Sequence, residues 1–301
     1  MTVVESTATT RASGWRATGL IVVSATGFGA IPILTSLATR SGASLLNVLS
    51  WRYLLGTVLL ALLAGRAASL RAPWRRLAPV FVLAGGAQAF IAFVSLSALA
   101  YIPAAPLSFL FYTYPAWVAV IAALRGTERL TPARLLALVL SLTGIGIMVG
   151  TPSMGQLHPM GVMLALVSAV AYAMYIPLIG HYQEQLSESI AAVYSALGAG
   201  VILIAFDYST SRATVALSHE AWLAIGVLAL WSTAIAFTAF LRGLRVLGPV
   251  RTAIVSTIEP FWTALLGAWV LGQGVTPAVL GGGVLIAAAV VLLQLRRMTV
   301  E

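Results

Sequence analysis

The 301-residue chain contains no cysteine, no lysine and a single aspartate, Asp207. Without cysteine there can be no disulfide, no thiolate metal site and no cysteine nucleophile. Without lysine there is neither a P-loop, whose lysine holds phosphates, nor Schiff-base chemistry. A lone aspartate cannot form the aspartate clusters that an intramembrane prenyl-transfer enzyme needs. The three histidines, His158, His181 and His219, fall in polar connections, and no HExxH zinc motif occurs. Little is left from which to build catalysis. The chain is therefore not expected to be an enzyme, and no cofactor or metal is expected.

Charge is also scarce. Only 8% of the residues are charged, against 60% hydrophobic, and the mean hydropathy is +1.00. A soluble domain carries about 25% charged residues. A chain this poor in charge cannot cover a water-facing surface, so it reads as an integral membrane protein in contact with lipid.

What the chain has in abundance is long apolar runs. A membrane-spanning helix needs about 20 mainly apolar residues. Ten such segments can be read, at 17–37, 43–64, 77–98, 104–124, 132–150, 159–180, 189–208, 218–240, 250–271 and 277–295. They are numbered segments 1 to 10 below. The fold class is thus all-α, with ten transmembrane helices. Residues 1–16 and 296–301 are expected to be cytoplasmic tails, and the short connections leave no room for a soluble domain or an ATPase of the chain's own. Segment 1 is followed by Thr39-Arg40-Ser41-Gly42 rather than a small-x-small cleavage site, so it is expected to be a retained helix.

The arginines fix the orientation. All 17 basic residues are arginine. If segment 1 enters from the cytoplasm, only Arg40 and Arg212 fall in outer connections, and Arg52 lies within a span. The rest sit at inner ends, as the positive-inside rule requires. The net charge of +9 then reflects topology rather than nucleic-acid binding, and both termini are expected in the cytoplasm.

The chain also repeats itself. A shift of 145 positions pairs Pro32 with Pro177, Pro115 with Pro260 and Trp117 with Trp262. It also aligns Thr131-Pro132-Ala133 with Thr276-Pro277-Ala278, where threonine as N-cap and proline at the first helical position mark the starts of segments 5 and 10. The repeats run over 17–150 and 159–295. Five spans is an odd number, so the two halves enter the membrane in opposite directions. Inverted repeats of this kind are typical of secondary transporters, with substrate held near the midplane between the halves.

The chain resembles the EamA-type ten-helix members of the drug/metabolite transporter superfamily. The resemblance rests on Ser50-Trp51-Arg52-Tyr53, Ala98-Leu99-Ala100-Tyr101-Ile102-Pro103-Ala104, Pro115, Gly126-Thr127-Glu128-Arg129-Leu130-Thr131 and Glu259-Pro260. It covers nearly the whole chain and implies export of amino acids, related metabolites or drugs. It places segments 5 and 10 at the periphery, where contacts of a homodimer can form. One departure stands out. The family often has a glutamate after segment 9 as well as after segment 4, but Gln273 is the repeat partner of Glu128. A structural role there, such as fixing the loop into segment 10, survives this change.

An ionisable residue within a span is a functional candidate by default, and two lie near the middle of one, Glu259 in segment 9 and Arg52 in segment 2. Glu259 belongs to a polar stripe, Thr252, Ser256, Glu259 and Thr263, whose spacing puts them on one helical face. Pro260 beside it frees a backbone carbonyl. Glu259 reads either as a proton-coupling group or anchor for a substrate ammonium, or as a buried carboxyl satisfied by Arg52 or nearby hydroxyls. Arg52 reads either as a holder of a substrate carboxylate or as half of an internal ion pair.

Polar and aromatic faces supply the other substrate-binding candidates: Gln88 and Phe93 in segment 3, Tyr112 with Ser108 in segment 4, Tyr172 and Tyr175 in segment 6, and Trp231 in segment 8. Aromatic walls with a few polar groups suit an amphiphilic small molecule and can stack on an organic cation. The same rings could simply pack between helices. Trp15, Trp51, Trp74 and Trp222 read as anchors at the membrane interface, and the glycines of segments 5 and 10 as close helix packing. The leading expectation is a plasma-membrane secondary transporter that exports a small amphiphilic metabolite of the amino-acid class. The alternative is multidrug efflux of lipophilic cations. Exchange of phosphorylated substrates is disfavoured, since Arg52 is the only cation near the middle of a span.

Overall fold

The computed structural model describes residues 3–65, 70–124, 132–150, 157–210, 214–256 and 258–297. These residues are helical, with no β-strand among them. Six stretches are long and apolar enough to cross a membrane as continuous helices: Trp15–Arg40, Leu45–Ala64, Trp74–Ala100, Pro159–Ile176, Ser189–Ser209 and His219–Leu247. They lie in segments 1, 2, 3, 6, 7 and 8.

Segment 1 is formed by α1 (Val3–Gly29) and α2 (Ile31–Arg40), and its helix begins at Val3, inside the expected tail. Segment 2 is α3 (Leu45–Ala64). Segment 3 runs through α4 (Trp74–Pro79), a π-helical stretch (Val80–Ala84), α5 (Gly85–Ser97) and a short 3-10 turn. Segment 4 is split into α6 (Ala104–Phe111) and α7 (Tyr114–Leu124) just before Pro115. Segments 5, 6 and 7 are α8 (Pro132–Gly150), α9 (Pro159–Gln185) and α10 (Glu188–Ser209). Segment 8 comprises α11 (His219–Val227) and a second π-helical stretch (Leu228–Ile235). Next, α12 (Ala236–Ser256) carries the chain into segment 9, so the backbone is helical across 241–249, where a connection was expected. Segment 9 continues as α13 (Ile258–Leu271), and segment 10 is α14 (Pro277–Arg297).

Side-chain caps start many of these helices. Ser44, Ser187 and Ser218 accept from backbone N–H groups of the first turns of α3, α10 and α11. Thr276 accepts from the N–H of Val279 at 3.1 Å, so the Thr-Pro step does open segment 10 as its sequence indicates. The Thr131 copy and the Gly126–Leu130 stretch lie outside the described residues.

The largest interfaces join the two halves. Segment 1 packs on segment 8 and its continuation α12, 5 on 10, 2 on 7 and 8, and 3 on 6 and 7, while 4 packs on 6 and more lightly on 9, and 9 also on 1. Exchanging the halves turns the 1–8 contact into 3–6, 2–8 into 3–7 and 1–9 into 4–6, and each of 2–7, 4–9 and 5–10 into itself, as a two-fold relation between repeats requires. Small residues allow the close approaches. A Cβ on Gly144 would lie 2.6 Å from the Gly282 carbonyl oxygen, and one on Gly198 would collide with the Phe81 carbonyl. The outer faces carry exposed Leu62, Leu135, Leu265 and Trp269, an apolar surface suited to lipid. Trp15 and Trp74 are also exposed, whereas Trp51 and Trp222 pack on each other at 5.4 Å between ring centroids.

Candidate transport cavity

Between the halves lies a cavity of about 220 Å³. Its lining draws on segments 1, 2, 3, 4, 6, 8 and 9, and includes Arg52, Gln88, Tyr112, Tyr172, Tyr175 and Glu259. With Ser108, which also lines it, seven of the nine sequence-derived candidates therefore share one space. The other two do not. Phe93 packs edge-on against Phe206 at 6.3 Å, and Trp231 sits partly exposed beside Gly27 of α1.

Arg52 is held from one side. Its Nε–H donates to the Thr233 hydroxyl at 3.0 Å, and its guanidinium lies 5.0 Å from the centre of the Tyr53 ring, a cation–π arrangement. The Thr233 hydroxyl donates in turn to the Leu228 carbonyl at 3.1 Å. That five-residue step belongs to the π-helical stretch of segment 8, an irregularity that often marks functional sites. Among the described residues Arg52 makes no ion pair, with Glu259 or with any other carboxylate.

Glu259 is held from another side. Its Oε2 lies 2.8 Å from the Tyr112 hydroxyl, which is also 2.7 Å from the Ser256 carbonyl oxygen. Ser256 stands four residues before Pro260, so its carbonyl lacks the intrahelical N–H that any other residue at 260 would offer. Tyr112, reaching across from segment 4, supplies a donor instead. One turn further on, the Thr263 hydroxyl lies 3.0 Å from the Gly29 carbonyl and 3.1 Å from that of Glu259. Gly29 fits because it has no side chain: a Cβ would lie 3.0 Å from the Glu259 carbonyl oxygen.

Aromatic rings form a further part of the cavity wall. Tyr114 meets Tyr172 edge-on at 4.9 Å, Tyr172 stacks on Tyr175 at 6.0 Å, and Phe111 lies 5.1 Å from Tyr172. The Oε1 of Gln88 is buried there without a hydrogen-bond partner, an acceptor left for a bound molecule. Among the described residues no three His, Asp or Glu side chains gather to hold a metal. Sequence reasoning missed Phe28, Ile31, Phe237 and Phe240, which also line the cavity. All four sit in strongly apolar runs, where nothing distinguishes a cavity wall from a lipid-facing side chain. Tyr53 and Phe111, not singled out as site residues, adjoin Arg52 and Tyr112 in the chain, a neighbourhood that could have drawn attention to them.

Two interlocked five-span halves around a polar-aromatic cavity define a multi-pass membrane protein of transporter architecture. The chain belongs to the EamA-like transporter family, whose model matches it twice, over residues 15–150 and 159–295. It is 27% identical over 173 residues to the uncharacterized transporter YcbK of Bacillus subtilis (strain 168), a match covering 54% of this chain and 55% of that protein. It is also 31% identical over 185 residues to an uncharacterized transporter of Archaeoglobus fulgidus, covering 61% of this chain and 64% of that one. These matches span between half and two thirds of the relatives' lengths. A solved crystal structure shares the fold with a TM-score of 0.68 at 20% identity, covering 95% of this chain and 98% of the other.

Proposed function

We propose that this transporter exports a small amphiphilic metabolite of the amino-acid class across the plasma membrane by alternating access, and that it is not an enzyme. The observation that carries the reading is that Arg52 and Glu259 line one cavity without pairing with each other. The guanidinium spends one N–H on Thr233 and keeps its fork for a carboxylate, a geometry it recognises well. The Glu259 carboxyl is an acceptor for a substrate ammonium, and the tyrosines of the wall suit an apolar or aromatic body. Energy comes from the substrate gradient or from proton exchange at Glu259.

The test is counterflow in proteoliposomes loaded with a panel of labelled amino acids, with empty liposomes as control. Saturable uptake of one or more supports the reading. A negative panel together with movement of lipophilic cations would establish the efflux alternative, which the carboxyl among aromatic rings favours. With a substrate in hand, Glu259→Gln should abolish proton-coupled movement and spare uncoupled exchange. Unchanged coupled transport in that variant would rule out Glu259 as the coupling group.

A further inference from the structure

The Tyr112 hydroxyl has one proton and two acceptors. It lies 2.7 Å from the Ser256 carbonyl and 2.8 Å from Glu259 Oε2, and it can donate to only one of them. Both short contacts are hydrogen bonds at once only when the Glu259 carboxyl carries a proton. The carboxyl O–H then donates to the Tyr112 oxygen, and the Tyr112 O–H donates to the Ser256 carbonyl. If Glu259 passes its proton to a water molecule in the cavity, no proton is left between the tyrosine and the carboxylate. The hydroxyl then turns to the carboxylate, since a charge-assisted bond is the stronger of the two. The Ser256 carbonyl loses its donor, and Pro260 cannot replace it because it has no N–H.

We propose that Tyr112 is a positioning residue that transmits the protonation state of Glu259 to the Ser256 carbonyl, which Pro260 leaves without an intrahelical donor. With the proton on, a chain of two hydrogen bonds ties segment 4 to the carbonyl that Pro260 leaves open. With the proton off, the tie to the carbonyl is released and segment 9 is free to change its angle at Pro260. Among the described residues no other side chain donates to this carbonyl. The hydroxyl of Thr263 is taken up with Gly29 and Glu259 backbone oxygens. The other charged or titratable groups facing the cavity are Arg52, Tyr53, Tyr114, Tyr172 and Tyr175. Arg52 is tethered to Thr233, and the four tyrosines contribute hydroxyl groups to the wall. The segment 1 residues packed on α13, Phe28 and Gly29 among them, bring no titratable group to the carboxyl.

The inference rests on the reading of Glu259 as a group that exchanges protons, so its test separates the two. The chain has no cysteine, so a single Ser95→Cys in the cavity wall provides a clean labelling site. Its maleimide labelling rate is measured in mildly acidic and mildly alkaline buffer, corrected for the reagent's own dependence on pH with a short cysteine-containing peptide. The infrared carboxyl band that Glu259→Gln removes is followed in parallel. The corrected rate should change about fivefold or more across this range while the band titrates. Tyr112→Phe should keep a titrating carboxyl band and lose the change in labelling. Pro260→Ala restores an N–H to the Ser256 carbonyl, leaves Tyr112 and Glu259 in place, and should lose the labelling change as well. Labelling that still follows pH in both variants would overturn the role of Tyr112 and leave the transport reading intact. A band that does not titrate in the parent would overturn both.

Discussion

Arg52 and Thr233 are joined across the two halves by a 3.0 Å hydrogen bond, and the contact exists because position 56 is glycine. A Cβ there would lie 2.6 Å from the Thr233 Cγ2. The tether fixes one edge of the guanidinium and aims the other into the cavity. Thr233→Val keeps the shape and removes the acceptor, leaving a buried donor unmet. The expected cost is about 1–2 kcal/mol, read as a lower melting temperature in detergent. A larger loss is expected in substrate affinity, because the untethered arginine is no longer pre-oriented. Gly56→Ala should reproduce both effects through displacement of Thr233.

Removal of the cation itself separates substrate classes. Arg52→Gln should weaken transport of carboxylated substrates by about tenfold to a hundredfold, the worth of one charge-assisted hydrogen-bond pair. Movement of lipophilic cations should be unaffected or improved, because a like charge has been removed. Parallel counterflow of an amino acid and a lipophilic cation in the same variant measures the ratio. Equal losses for both would show that Arg52 holds the fold rather than a carboxylate.

Much of this architecture could be read from particular residues. The Thr-Pro steps, the paired prolines and the placement of the arginines were enough for ten spans in two inverted halves, because each reflects a local rule of backbone or bilayer. Glu259 and Arg52 stood out because charge in a span is costly. What could not be read was register between helices. That Tyr112 rather than Ser108 or Tyr114 reaches the Ser256 carbonyl depends on how far segment 4 slides along segment 9, which no single-chain pattern encodes. Phe93 and Trp231 fail for a related reason. Phe93 follows Gln88 by five positions, about 140° around a helix, so the two cannot face one cavity. Trp231 lies within the Leu228–Ile235 π-helical stretch, where the widened turn shifts side chains out of the phase that helical spacing assumes.

The glycines of segments 5 and 10 divide into two sets with different expected effects. Gly144 presses on Gly282 inside the protomer, whereas Gly146 and Gly281 have open space where a Cβ would be. Gly144→Leu should destabilise the protomer by about 1–3 kcal/mol or more through overpacking. Gly146→Leu should leave its melting temperature unchanged. If the protein forms the homodimer proposed through segments 5 and 10, Gly146→Leu should shift it toward monomer in light-scattering measurements. An unchanged mass would place any dimer contact elsewhere.

Gln273 shows how a side chain can replace a carboxylate without loss of its structural task. Its Oε1 accepts from the Ala104 N–H at 3.1 Å, so it caps the first turn of α6 from the loop between segments 9 and 10. The preceding Gly272 has φ of 64°, a left-handed conformation that glycine adopts at little cost. This turn brings Gln273 back over the end of segment 4. An amide oxygen and a carboxylate oxygen serve equally as acceptors for a helix N-terminus, and the carboxylate also suits the positive end of the helix dipole. Gln273→Glu is therefore expected to match or slightly exceed the parent in melting temperature. Gln273→Ala should lose about 1 kcal/mol, the usual worth of a cap. Transport kinetics should follow stability in both variants, because the residue touches neither the cavity nor Glu259. A Gln273→Glu variant that gained pH-dependent transport would show instead that this position acts on the cycle itself.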